Sequence, residues 1–173
     1  MAQVLENPMK RIRIGKVVIN IGVGKSGEPL EKAKRVIEEL TGQKPSARHA
    51  KKTIRDFGIH KDEPIAAIVT LRGDNAIEIL KRLLAAKNNQ IKRSSFDDNG
   101  NVSFGIREHI DIPGMKYNPD IGIVGMDVSI ALERPGYRVS RRRYRKSKVG
   151  KKHRINKEDA IAFFKDRFKV EVI

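Results

Sequence analysis

The sequence predicts an α+β fold: a mostly antiparallel sheet with helices packed on one face and the other face left open. Three observations carry this reading. Short segments alternate apolar and polar residues, the period of a half-buried strand. Three other segments carry apolar stripes at helical spacing. The later strand-like segments follow one another without intervening helices, the order of an antiparallel sheet and not of βαβ units. At 173 residues the chain reads as one domain, 1–173, with a basic extension at about 134–157, and is long enough to bury a proper core.

The first 15 residues are polar and mixed. "KVVINIG" then alternates, with Val17, Ile19 and Ile21 pointing one way and Val18 and Asn20 the other. "GVGKSGEP" is a Gly-rich turn, and Pro29 suits the first turn of a helix. That helix, "LEKAKRVIEEL", places Leu30, Ala33, Ile37 and Leu40 on one face and stops at Gly42. Pro45 to about Phe57 reads as a short strand followed by a loop. "PIAAIVTLRG" (64–73) is the next strand, with Ile65, Ala67, Val69 and Leu71 toward the core and Ala66, Ile68, Thr70 and Arg72 away from it. Asp74 is the expected N-cap of a helix whose stripe is Ile77, Leu80 and Leu84. Asn99-Gly100 marks a turn into a strand, and "IGIVGMDVSIAL" (121–132) gives another, with Met126, Val128, Ile130 and Leu132 inward. Asn156 with Asp159 resembles a capping box for a last helix buried through Ile161, Phe164 and Phe168. "KVEVI" ends the chain as a strand. Three helices and five or six strands are expected, and Asn20, Thr70 and Arg72, on the polar phase of their strands, belong to the open face.

Charge is concentrated. The chain has 37 Lys and Arg against 21 Asp and Glu, a net +16. Residues 134–157 contain twelve of those cations and no acid. Such a cluster repels itself unless a polyanion neutralises it. It has no apolar stripe for a membrane surface, because Val139, Val149 and Ile155 do not align. No apolar run is long enough to span a bilayer, and the opening residues lack the pattern of a secretory signal. With no cysteine, disulfides and thiolate metal sites are excluded, and a reducing, intracellular setting suits the chain. Arg dominates the first half of the run, giving forked donors for phosphate, and Tyr137 and Tyr144 offer faces for stacking. Nucleic acid is the partner this composition fits, RNA before DNA because no DNA-reading motif is present. "MKRIR" and "RHAKKTIR" extend the footprint. Free of its partner, the run is expected to be poorly ordered.

Catalytic readings fail on spacing. "GVGKSG" (22–27) satisfies the G-x-G-x-x-G pattern after a strand and before a helix, but the acid needed about 20 residues further on is absent, where "SARHAKK" stands. Arg48 there could meet a phosphorylated ribose, yet "PSARHAKKTIRDF" is not the continuous apolar strand of a buried parallel sheet. As a Walker loop the stretch also fails, since Ile19 occupies the place of the first Gly. His49, His60, His109 and His153 show no metal-ligand spacing, and "EHID" (108–111) reads as a strand end or ion pair. Neither a cofactor, a metal nor an enzymatic activity is expected.

Five blocks in order, "KVVINIGVG", "LTGQKP", "KKTIRDFGIHKDEPIAAIVTLRG", "SSFDDNGNVSFGIREHIDIPG" and "GMDVSIALERPGYRV", resemble the universal large-subunit ribosomal protein number five, the 5S rRNA-binding family. The resemblance runs from about residue 8 to 170. "RPGYRVSRRRYRKSKVGKKHR" looks like the archaeal and eukaryotic branch, because bacterial members lack a comparable insert. The chain departs from bacterial members in missing a longer helical N-terminus.

The resemblance implies a structural constituent of the cytoplasmic large subunit. Such a protein binds 5S rRNA across the open sheet face and helps anchor it to the large rRNA in the central protuberance. Carried over position by position, the family's polar contact residues are Asn20, Gln43, Thr70 and Arg72. The resemblance also implies a loop that reaches peptidyl-site tRNA, here "RDFGIHKDEP" (55–64), preceded by Lys51 and Lys52. Because that loop carries Asp56, Asp62 and Glu63, phosphate attraction would rest on Arg55, His60 and Lys61. A face meeting a small-subunit head protein, forming an intersubunit bridge, is implied as well. The basic run becomes a phosphate-neutralising arm made of Arg138, Arg141, Arg142, Arg143, Arg145, Lys146, Lys148, Lys151, Lys152 and Arg154.

Overall fold

The structure, a computed structural model, describes residues 7–173; the first six residues of the polar opening segment lie outside it. A five-stranded sheet is built from β1 (Arg13–Gly22), β2 (Ser46–His49), β3 (Pro64–Leu71), β5 (Val102–Ile106) and β6 (Met126–Glu133), and β4 (Gln90–Ile91) stands between β3 and β5 in the chain. Its order is β2-β3-β1-β6-β5, and every pairing in it is antiparallel. β4 pairs in parallel with β7 (Glu171–Val172) as a separate two-stranded ribbon. The helices are α1 (Glu28–Thr41), α2 (Gly73–Ala85), the single turn α3 (Arg138–Arg141) and α4 (Lys157–Phe168).

The core lies between one sheet face and the helices. Val17, Ile19 and Ile21 of β1, Val69 and Leu71 of β3, and Val128 and Ile130 of β6 are all buried. They form one cluster with Leu30, Ala33, Val36, Ile37 and Leu40 of α1 and with Ile79, Leu80, Leu83 and Leu84 of α2. α4 adds Ile161, Phe164 and Phe168, with Phe164 edge-on to Phe96 at 5.8 Å between ring centres. α1 ends at Gly42 in the left-handed region (φ 66°), as the Gly predicts.

Several boundaries differ from expectation. β1 starts three residues before "KVVINIG", with a bulge between Ile14 and Lys16. β6 begins at Met126 and not at Ile121: Gly122 takes a positive φ (74°), and Val124 exchanges hydrogen bonds with His109 instead of joining the ladder. Asp74 is not the N-cap of α2: Arg72 occupies that position, the helix begins at Gly73, and Asp74 sits in the first turn, where its charge suits the helix dipole. The Asn156–Asp159 capping box is present. Because β1 is flanked on both sides by antiparallel strands, the "GVGKSG" turn is a strand-to-helix connection outside any βαβ unit.

Candidate nucleic-acid interface

In an antiparallel ladder, directly paired residues lie on the same face. Pairing therefore places Ser46, Ile68, Asn20, Asp127 and Gly105 in one row across all five strands. A second row contains Thr70, Val18, Ser129 and Ser103. Both rows lie opposite the helices. The expected open face is there: its rows carry four short hydroxyls, the Asn20 amide and the Asp127 carboxylate beside the apolar Val18 and Ile68, with no aromatic ring and with cations such as Lys16 and Arg48 toward its margins. Ser103 Oγ donates to Ser129 Oγ at 3.1 Å. Ser46, Ser103, Asp127 and Ser129 went unassigned in the sequence, although the polar phase of β5 and β6 carried the signal.

Asn20 and Thr70 take their predicted places in these rows. Arg72 lies one residue past the end of β3 in extended backbone, and its Nη1 donates to Gly15 O at 3.4 Å. Gln43 is exposed in the turn between α1 and β2, its N–H donating to Thr41 Oγ1 at 3.2 Å.

The segment between β2 and β3 is a hydrogen-bonded hairpin. Ala50 N–H donates to Glu63 O (2.8 Å) and Asp62 N–H to Ala50 O (2.9 Å). Ile54 and Ile59 form a two-way bridge, and Lys61 N–H donates to Thr53 Oγ1 at 3.0 Å. At the base, the Glu63 carboxylate accepts from His60 N–H (3.0 Å) and from Ser26 Oγ (2.8 Å), joining the hairpin to the Gly-rich turn. Those two bonds, the His60 amide first, hold the Glu63 carboxyl below its ordinary pKa. The tether is therefore present at neutral pH and is lost as pH falls through that lowered pKa. Glu63→Ala is expected to speed amide exchange at His60 while leaving core amides protected; equal exchange in both proteins would remove the tether. Lys51, Lys52, Arg55, His60 and Lys61 are exposed along the hairpin, and Phe57 stands at its tip, 72% exposed.

The basic run, expected to be poorly ordered free of its partner, is docked onto the domain at both ends, while residues 142–150 between them carry no regular secondary structure. Arg134, largely buried, donates to the carbonyls of His153 (3.5 Å) and Arg154 (3.2 Å) and to Asp159 Oδ2 (2.9 Å). Tyr137 Oη donates to His153 O and accepts from Ile155 N–H, and Ile155 is fully buried. Arg141 makes two 2.7 Å hydrogen bonds to the carboxylate of Glu133, which is only 8% exposed. It thus sits apart from the other nine arm cations. Arg142 and Arg154 each turn Nε onto a backbone carbonyl within the arm. Arg138, Arg143, Arg145, Lys146, Lys148, Lys151 and Lys152 are exposed, and the Arg145 guanidinium lies 5.2 Å from the Tyr144 ring centre. Glu133 covers Gly15 so closely that a Cβ there would meet its Cδ at 2.4 Å. Arg72 and the arm therefore meet the β1 bulge from two sides.

Comparison with known proteins decides the family. Residues 7–60 match the model for ribosomal protein L5 and residues 64–163 that for the ribosomal L5P family C-terminus. The chain belongs to the ribosomal protein L5 family. It is 58% identical over 166 residues to "large ribosomal subunit protein uL5" of Pyrobaculum aerophilum, covering 96% of this chain and 93% of that one. It is 53% identical over 172 residues to the protein of the same name from Nitrosopumilus maritimus, covering 99% of each. The Sulfolobus acidocaldarius relative is 51% identical over 168 residues, 97% of this chain and 94% of that one. This L5 chain is of the archaeal type, as the basic insert suggests. Among the described residues, no helix is long and apolar enough to cross a membrane, and no group of three or more His, Cys, Asp or Glu could hold a metal ion.

Proposed function

We propose that the protein is a structural constituent of the cytoplasmic large ribosomal subunit that binds 5S rRNA across its open sheet face. It helps anchor that RNA to the large rRNA in the central protuberance, and its basic arm neutralises rRNA phosphates. The observation that carries this reading is the pair of rows containing Asn20 and Thr70, rich in short hydrogen-bonding groups and ringed by cations. Such a face, without aromatic rings, is poorly suited to stacking unpaired bases. It suits the wide, shallow minor groove of an RNA helix, which presents 2′-hydroxyls and base edges. The surrounding cations would fix register through phosphates while the sheet supplies discrimination. Gln43 and Arg72 extend the same contact at its margin.

The β2–β3 hairpin, with Lys51, Lys52, Arg55, His60 and Lys61, is assigned to peptidyl-site tRNA. Its ladder makes it a preformed probe, and Phe57 adds a ring able to stack on an exposed base. A further face meets a small-subunit head protein at an intersubunit bridge. The relatives' names support a ribosomal role and no enzymatic one.

Titration of labelled 5S rRNA in moderate salt with excess competitor RNA tests the reading. Selective binding is expected. Equal affinity for 5S and competitor RNA would instead make the chain a general polyanion binder. Arg72→Ala is expected to weaken 5S rRNA binding by about 1–3 kcal/mol. An equal loss with any structured RNA would take Arg72 out of specific recognition.

A further inference from the structure

We propose a second backbone-binding site for RNA: a cationic trough over the β5 edge of the sheet, formed by Lys87, Lys92 and Arg107, which continues the Asn20 row away from the arm. Two adjoining hollows make it. One, of about 580 Å³, lies between β5 and the β4–β7 ribbon and is lined by all three cations. The other, of about 400 Å³, opens onto the sheet face beside Asn20 and Asp127. They share Lys87, Gly105 and Arg107, so the surface is continuous from the open face to the ribbon. Asp127 is the sole acidic side chain lining either hollow, and none of the three cations has an ion-pair partner among the described residues.

The backbone holds the trough open. Lys87 sits in the turn that reverses the chain after α2, where Asn88 (φ 53°) and Asn89 (φ 54°) both take the left-handed conformation that Asn tolerates. Arg107 leaves β5 at a close approach to β6: a Cβ on Gly125 would stand 3.0 Å from Arg107 O. Just beyond, buried His109 is clamped, its N–H donating to Val124 O at 3.0 Å and its Nδ1 accepting from Val124 N–H at 3.3 Å. Gly105, between the cations, has no side chain to obstruct a backbone laid against the strand. Concave shape, unpaired cations and a glycine floor fit a ribose–phosphate chain, and an electrostatic contact of this kind requires no particular base. The assignment rests on RNA lying across the adjoining sheet face.

The test uses the full chain carrying Lys87→Gln and Arg107→Gln together, with 5S rRNA binding measured across a salt series. Losing two phosphate contacts should reduce the log–log salt slope by about 2. With affinities equal near 1 M salt, that corresponds to about 40-fold weaker binding at about 0.15 M. Arg107→Gln alone, at an exposed position, should reduce the slope by about 1, and unfolding midpoints matching the unsubstituted chain show that both variants fold. Unchanged slope and affinity in both variants would overturn the trough. If the unsubstituted chain binds 5S and competitor RNA alike, the sheet-face reading fails. Comparing slopes on the competitor then still decides whether the trough binds RNA backbone.

Discussion

Replacing Arg142, Arg143, Arg145, Lys146 and Lys148 together by Gln is expected to cut the salt dependence of 5S rRNA binding severely while leaving the fold intact. All five lie in the exposed middle of the arm, between its anchored ends. Each neutralised phosphate contributes roughly 0.7–0.9 to the log–log slope, so losing five contacts lowers it by about 4. Between 50 and 200 mM salt, a slope difference of about 4 means the unsubstituted chain loses about 250-fold more affinity than the variant. Arg141 is left out because its guanidinium is held by Glu133. Arg134 is left out because it is spent on two carbonyls and Asp159. Filter binding across that salt range is the measurement, and a variant with the same slope would remove the arm from the RNA interface.

Asn20 and Thr70 were legible because strand alternation is local: a period of two in β1 and β3 places their side chains away from the core whatever the partner strand. What period two cannot give is strand order. Only the β2-β3-β1-β6-β5 arrangement puts Ser46 and Asp127 in the same row as Asn20, since that requires contacts distant in sequence. Boundaries failed where backbone conformation decided them. Gly122 takes a positive φ ahead of β6 and Gly73 a positive φ where β3 turns into α2, and hydrophobic patterning does not register either event. The docking of the arm's ends is invisible to patterning for a different reason. Its composition is that of a disordered segment, but sparse apolar and paired groups at its ends, Tyr137, Ile155 and Arg134, dock onto the domain. Charge density dominates composition, while anchoring depends on a few residues whose partners lie elsewhere.

The Gly15–Glu133–Arg141 contact is the place where stability and RNA presentation are coupled. Glu133 is nearly buried and takes both hydrogen bonds of its ion pair from Arg141, whose side chain is half exposed. Arg141→Ala would leave that carboxylate without its partner. Breaking a fully buried pair costs about 3–5 kcal/mol. Solvent reaches Arg141 here, which reduces the expected cost to about 1–2 kcal/mol. For a chain of this size each kcal/mol lowers the unfolding midpoint by about 2–4 °C, so a drop of about 2–8 °C is expected. Gly15→Ala should act on the same contact from the other side. A Cβ at position 15 would overlap the Glu133 carboxyl, and the side chain can swing clear only by releasing Arg141. The two single substitutions should therefore not add. Thermal unfolding of both single variants and the double variant is the check, and the double is expected to fall short of additivity by at least about 0.5 kcal/mol. Full additivity would mean that Gly15 and Arg141 contribute to stability independently. α3 would then be held against β1 by something other than Glu133.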